Sequence, residues 1–143
     1  SQPQASQRSG GSRLGDNFLE GSGDSTRTNE TRVPASQIGA SAKASLFQAV
    51  ARQLRPHWRP VDGADREKLV SKIRFRLNPD GTLAGAPSLV GQRGETEANR
   101  AQAPRHAENA IRAVQLAAPF DLPPEYYEAW KTVTVDFDWN LSR

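Results

Sequence analysis

Leu69-Val70-Ser71-Lys72-Ile73-Arg74-Phe75-Arg76-Leu77-Asn78-Pro79-Asp80-Gly81 is the stretch on which the fold turns. Leu69, Ser71, Ile73, Phe75 and Leu77 fall on one side of an extended chain, and Val70, Lys72, Arg74 and Arg76 on the other. A period of two marks a strand with one face on a core and one in water. Asn78-Pro79-Asp80-Gly81 then supplies a turn former, a residue with preset φ and a glycine able to take positive φ, so the spacing predicts a hairpin. The return strand is expected over about 82–90. It contains Gly85 and Pro87, and because proline donates nothing to a ladder this strand belongs at a sheet edge.

Downstream, residues 91–94 read as a loop, and Thr96 between Glu95 and Glu97 marks a helix start. Ala103, Ala107, Ile111, Val114 and Ala118 recur at steps of four and three, a narrow stripe of small residues that can sit close to a sheet. Pro104 inside this run predicts either a kink or two segments, with Pro104 in the first turn of the second. Pro119 ends the helix. Pro123-Pro124-Glu125 opens a short helical turn over 124–130. A last strand follows, with Val133, Val135, Phe137 and Trp139 pointing one way and Thr132, Thr134, Asp136 and Asp138 the other.

Upstream, Leu46, Phe47, Val50 and Leu54 lie at helical spacing, Ser41 or Ser45 can cap the start, and Pro56 closes the run. Arg52, Arg55 and Arg59 at and beyond the end complement the exposed carbonyls there. Trp58 is expected to plug the core edge.

Composition sets the outer limits. The chain has 143 residues and a formal charge of +3, the 19 basic residues being nearly matched by 16 acidic ones, an ordinary balance for a water-facing surface. It has neither Cys nor Met, which removes disulfides, thiolate metal sites and a cysteine nucleophile from consideration. A Met-free chain starting at Ser1 is expected to be a piece of a longer protein. No apolar run approaches the roughly 20 residues needed to span a bilayer. Residues 1–42 hold eight Ser, six Gly and only Leu14, Phe18, Leu19, Val33 and Ile38 as large apolar side chains, so they are expected to form a flexible tether to a domain at 43–143. Within the tether, Gly15-Asp16-Asn17-Phe18-Leu19-Glu20-Gly21 reads as a sticky spot in a linker or as a short recognition segment.

Charge on the polar strand faces suggests the strand order. Lys72, Arg74 and Arg76 would meet Asp136 and Asp138 if the first and last strands were antiparallel neighbours. The first strand is then central, and the last is a free edge, long, β-branched and without proline. Such an edge is either protected or used for pairing with another chain. The fold expected is α+β, a small three-stranded antiparallel sheet with helices on one face. No enzyme, metal or cofactor is expected: His57 and His106 sit in different elements as surface or rim groups, without metal-ligand spacing, and no Gly-x-Ser-x-Gly or phosphate-cradling loop appears. Tyr126, Tyr127 and Trp130 read as packing residues, and Lys72, Arg74 and Arg76 as a solvated face.

Three motifs in order resemble a known family: Leu-Asn-Pro-Asp-Gly-Thr-Leu-Ala-Gly-Ala-Pro after a strand, His-Ala-Glu-Asn-Ala-Ile-Arg-Ala-Val on a helix, and Ala-Pro-Phe-Asp-Leu-Pro-Pro-Glu-Tyr-Tyr-Glu-Ala-Trp before a closing strand. Across about residues 45–139 the chain is similar to the C-terminal domain of TolA, the cell-envelope protein of Gram-negative bacteria, most of all in its alphaproteobacterial versions. The resemblance implies a periplasmic domain that binds the N-terminal segment of TolB, the partner of the peptidoglycan-associated lipoprotein Pal. The whole protein would be anchored in the inner membrane beside TolQ and TolR and coupled to the proton-motive force. Colicins and filamentous phage coat proteins exploit the same domain, and contacts of this piece with membrane or nucleic acid are not expected. TolB joins by strand addition in studied relatives, which mapped here uses Lys131, Thr132, Val133, Thr134, Val135, Asp136 and Phe137. Many relatives also carry a Cys pair that looks like a disulfide; the matching neighbourhoods here are Arg55-Pro56-His57-Trp58 and Leu116-Ala117-Ala118-Pro119. The alternatives are a TonB-type domain contacting outer-membrane transporters, and a basic binder of cell wall or nucleic acid.

Overall fold

In the computed structural model, which describes residues 32–143, the alternating stretch forms strand β1 (Val70–Arg76). It is the middle of a three-stranded antiparallel sheet of order β2-β1-β3, with β2 at Ser88–Arg93 and β3 at Thr132–Phe137. Ser71, Ile73, Phe75 and the flanking Leu69 and Leu77 are buried, while Lys72, Arg74 and Arg76 face water.

The turn forms where the Asn-Pro-Asp-Gly run predicts it. The Gly81 N–H donates to the Asn78 carbonyl at 2.9 Å, and Asp80 accepts from the Thr82 N–H and hydroxyl. Gly81 has φ +89°, and any Cβ there would collide with the Phe120 carbonyl, because the Phe120 N–H donates to Gly81 O at 2.8 Å. The return path differs from expectation. Leu83 makes one bridge to Leu77, after which the chain leaves the ladder, and β2 begins only at Ser88. Pro87 therefore precedes the strand instead of interrupting it. Residues 91–93, expected as loop, continue β2, and a bulge at Val90 shifts the register, so that Lys72 faces Gly91 while Ile73 faces Leu89.

Helix α1 spans Ala40–Leu54 and buries Leu46, Val50, Ala51 and Leu54. Gly39 is its N-cap and no side chain caps it, so neither Ser41 nor Ser45 does so. Phe47, expected on the buried stripe, is 48% exposed. Ile38, assigned above to the tether, is buried, and the compact unit begins at Pro34. The Gly15–Gly21 segment lies outside the described residues.

Trp58 enters the core centre, not its edge. It is 2% exposed, its Nε1–H donates to the Asp138 carbonyl at 2.9 Å, and the rings of His106 and Phe137 meet it edge-on at 5.0 and 5.1 Å.

Pro104 lies in the first turn of helix α2 (Ala103–Ala117), preceded by a separate 3-10 turn at Arg100–Gln102. Two segments thus prevail over a kink. The helix start expected at Thr96 is a turn instead, because Thr96 and Asn99 exchange hydrogen bonds there, the Thr96 N–H donating to Asn99 Oδ1 at 2.7 Å and the Asn99 N–H to Thr96 Oγ1 at 3.2 Å. The buried stripe of α2 is Ala103, His106, Ala107, Ala110, Ala113 and Val114, with Ile111 and Ala118 at its margin. Small residues bring this helix close to the sheet, and its buried side joins that of α1, Ile73, Phe75, Val135 and Phe137 in one core. Helix α3 (Tyr127–Trp130), after a 3-10 turn at Pro124–Tyr126, adds buried Trp130. The Tyr127 hydroxyl donates to the Leu77 carbonyl at 2.7 Å.

His106 is fully buried, contrary to its reading as a surface or rim group. Its Nδ1 lies 2.7 Å from Ser71 Oγ, which accepts from Gln92 Nε2 at 2.9 Å; the other Gln92 amide proton goes to the Ala103 carbonyl at 2.7 Å. His106 Nε2 is buried without a hydrogen-bond partner, so the contact with Ser71 is the ring's one hydrogen bond. Desolvation lowers the His106 pKa to about 4, only partly opposed by the charge on Asp138.

No disulfide joins α1 to the segment after α2, and Gln53 connects them instead. Its Nε2 donates to the Asp121 carbonyl at 2.9 Å while its Oε1 accepts from the Asp121 N–H at 2.8 Å.

Candidate docking edge on the sheet

Register decides what β3 offers to a visitor. Arg76 faces Thr132, Phe75 faces Val133 and so on to Ser71 opposite Phe137. The Leu77 N–H donates to the Lys131 carbonyl at 2.9 Å, so this pair lies at a hydrogen-bonded position of the ladder. Hydrogen-bonded and non-bonded positions alternate in an antiparallel pair, so Val133, Val135 and Phe137 direct their backbone groups toward β1. Thr132, Thr134 and Asp136 direct theirs outward. Among the described residues no strand pairs with that outer side, which leaves three N–H and three C=O groups facing away from the sheet.

A groove runs beside this edge. It is lined by Lys43, Leu46, Phe47 and Val50 of α1, by Ala129 and Trp130 of α3, and by Thr132, Val133 and Thr134. Its volume is about 200 Å³. Phe47 is the exposed aromatic at its rim, and Lys43 adds a positive charge. A chain laid along β3 would thus find backbone partners on one side and an apolar trough for alternate side chains on the other.

The seven residues expected here do not play equal parts. Lys131 lies before the strand: its N–H closes the α3 turn on the Tyr127 carbonyl, its own carbonyl serves β1, and its ammonium binds Glu128 at 2.6 Å. Val133, Val135 and Phe137 anchor the strand to the core side, leaving Thr132, Thr134 and Asp136 as the presenting residues. Phe47 and Lys43 escaped sequence reading. Phe47 follows Leu46 directly, so the two point about 100° apart on a helix and cannot both occupy the centre of one stripe.

The expected meeting of opposite charges is only partly present. Lys72 does face Asp136 in register, but the ion pair to Asp136 comes from Arg93 of β2 at 3.4 Å. Arg74 donates to the Thr134 hydroxyl at 3.4 Å. Asp138, beyond the strand, accepts from the Leu141 N–H at 3.0 Å and caps the final turn.

The opposite edge, β2, is less suited to regular pairing. Leu89 and Val90 are 43% and 40% exposed, yet the bulge at Val90 and the adjacent Gly91 break the repeat that an added strand would need. The buried Ser71–His106 pair resembles a nucleophile and base only in composition, since both residues have zero exposure and no substrate reaches them.

Fold and edge together define a small α+β domain with one regular open strand beside an apolar groove. No family model matches the chain, and no curated protein matches it either.

Proposed function

We propose that this domain is a protein-interaction module that captures an extended segment of a partner along the outer side of β3, and that it works as the periplasmic end of a TolA-like protein with the N-terminal segment of TolB as occupant. One observation carries the reading: Thr132, Thr134 and Asp136 present their backbone groups away from the sheet, beside a groove rimmed by Phe47. The order of the three sequence motifs supports the TolA-like assignment, with the remainder of the protein linking inner-membrane energy to outer-membrane integrity and cell division. The same edge could be exploited by colicins or phage coat proteins.

The test is a titration of labelled chain with a peptide of the TolB N-terminus. Amide shifts are expected on residues 132–137 and on Lys43 and Phe47, with weak dependence on salt. Thr134→Pro removes an outward N–H without touching the β1 ladder and should abolish binding. Phe47→Ala should weaken it about tenfold, a truncation at a rim that the core does not need. Shifts confined to Lys72, Arg74 and Arg76, with affinity falling steeply in salt, would replace this reading by a polyanion binder. Preference for a transporter segment over TolB would favour a TonB-type role.

A further inference from the structure

A second concave feature shares no lining residue with the groove along β3. It is a cleft of about 120 Å³ between the turn that follows α1 and the outward side of α2, lined by His57, Arg59, Asn109, Arg112 and Leu116. That is far smaller than the several hundred Å³ of a drug-sized pocket and suits a single ionic head with a short apolar neighbour.

The cleft is built on fixed backbone. Trp58, sealed in the core, holds the turn between His57 and Arg59, and Asn109 Nδ2 donates to the Arg59 carbonyl at 2.9 Å, tying that turn to α2. Arg59 Nη1 donates to the Pro56 carbonyl at 2.9 Å, which sets the guanidinium over its own turn and leaves most of its five N–H donors unused. Asn109, Arg112 and Leu116 follow at steps of three and four on one side of α2. Among the described residues, no carboxylate lies within ion-pair distance of His57, Arg59 or Arg112. Leu116, at 57%, is an apolar side chain left largely in water beside them.

Guanidinium groups match carboxylates in planar, two-point geometry, and an exposed leucine next to them rewards an aliphatic neighbour. We propose that this cleft binds an acidic side chain flanked by an aliphatic one on a partner polypeptide, at a place separate from the β3 edge. A peptide fits better than an anionic membrane surface, because a small concave cleft admits a single side chain whereas a lipid surface presents a broad face.

The experiment uses the full 143-residue chain and two probes, acetyl-Glu-Leu-Glu-Leu-amide and its Gln counterpart. The acidic peptide should shift amides around His57, Arg59, Asn109, Arg112 and Leu116, and the Gln peptide should bind at least about tenfold more weakly. Arg112→Gln should cost a similar factor while thermal unfolding stays unchanged, and Arg74→Gln, on the sheet face, should bind like the parent. Equal binding of the two peptides would overturn the proposal. So would an equal loss in Arg74→Gln, no loss in Arg112→Gln, no binding of either peptide, or binding only to phosphatidylglycerol vesicles.

Discussion

Acidification should weaken this fold through one buried side chain, His106. Its ring is sealed between Trp58 and the Ser71–Gln92 hydrogen bonds, and burial lowers its pKa from 6.5 to about 4. In the unfolded chain the imidazole takes up its proton near pH 6.5, whereas the folded chain resists until about pH 4. Because the folded value is the lower one, the unfolded state binds more protons between the two. Stability is therefore complete above about pH 6.5, falls as pH drops toward about 4, and levels off below that for this group. The difference of 6.5 minus 4 in pKa corresponds to about 3 kcal/mol in total, most of it lost between pH 7.5 and 4.5. For a domain whose net stability is about 5–15 kcal/mol this is a large share. The assay is urea unfolding, followed by tryptophan fluorescence, across that pH range for the parent and for His106→Gln. The substitution lowers stability at neutral pH by breaking the Ser71 contact, yet it should flatten the pH profile, because titration of the carboxylates is common to both proteins. A His106 ring resonance that titrates near pH 6.5 in the folded protein, or parallel profiles for parent and variant, would refute the argument.

Two further changes test the packing. Gln53→Ala removes both hydrogen bonds from α1 to the Asp121 backbone and should cost about 1 kcal/mol, read as a lower urea midpoint with unchanged slope. Gly81→Ala forces a Cβ onto the Phe120 carbonyl at a positive φ and should cost at least about 2 kcal/mol, with loss of the Phe120 and Phe75 ring-packing signature in near-ultraviolet dichroism.

Alternation alone decided a good deal of this protein. The period-two runs at 69–77 and 132–139 became β1 and β3, although β3 ends at Phe137 and leaves Asp138 and Trp139 beyond it; the opposed charges on their polar sides led to the right strand order, while the partners of Asp136 and Asp138 proved different. The Asn-Pro-Asp-Gly turn and the ends of α2 were legible for the same reason: local backbone chemistry determines them, whatever surrounds them. Other features required atoms far apart in the chain. The late start of β2 follows from the chain leaving the ladder after Leu83, where Gly85 takes φ +106°, a path that composition does not encode. His106 is buried against Ser71, its hydrogen-bond partner 35 residues away, which Gln92 in turn holds. Likewise, only packing shows that Phe47 rims a groove against β3 instead of joining the core, since a residue on the border of a helical stripe can fall either way. Sequence thus determined which segments extend, coil and turn, because those preferences are local. Tertiary structure decided which backbone groups remain open and which polar side chains are sealed, because both depend on neighbours that only the folded chain brings together.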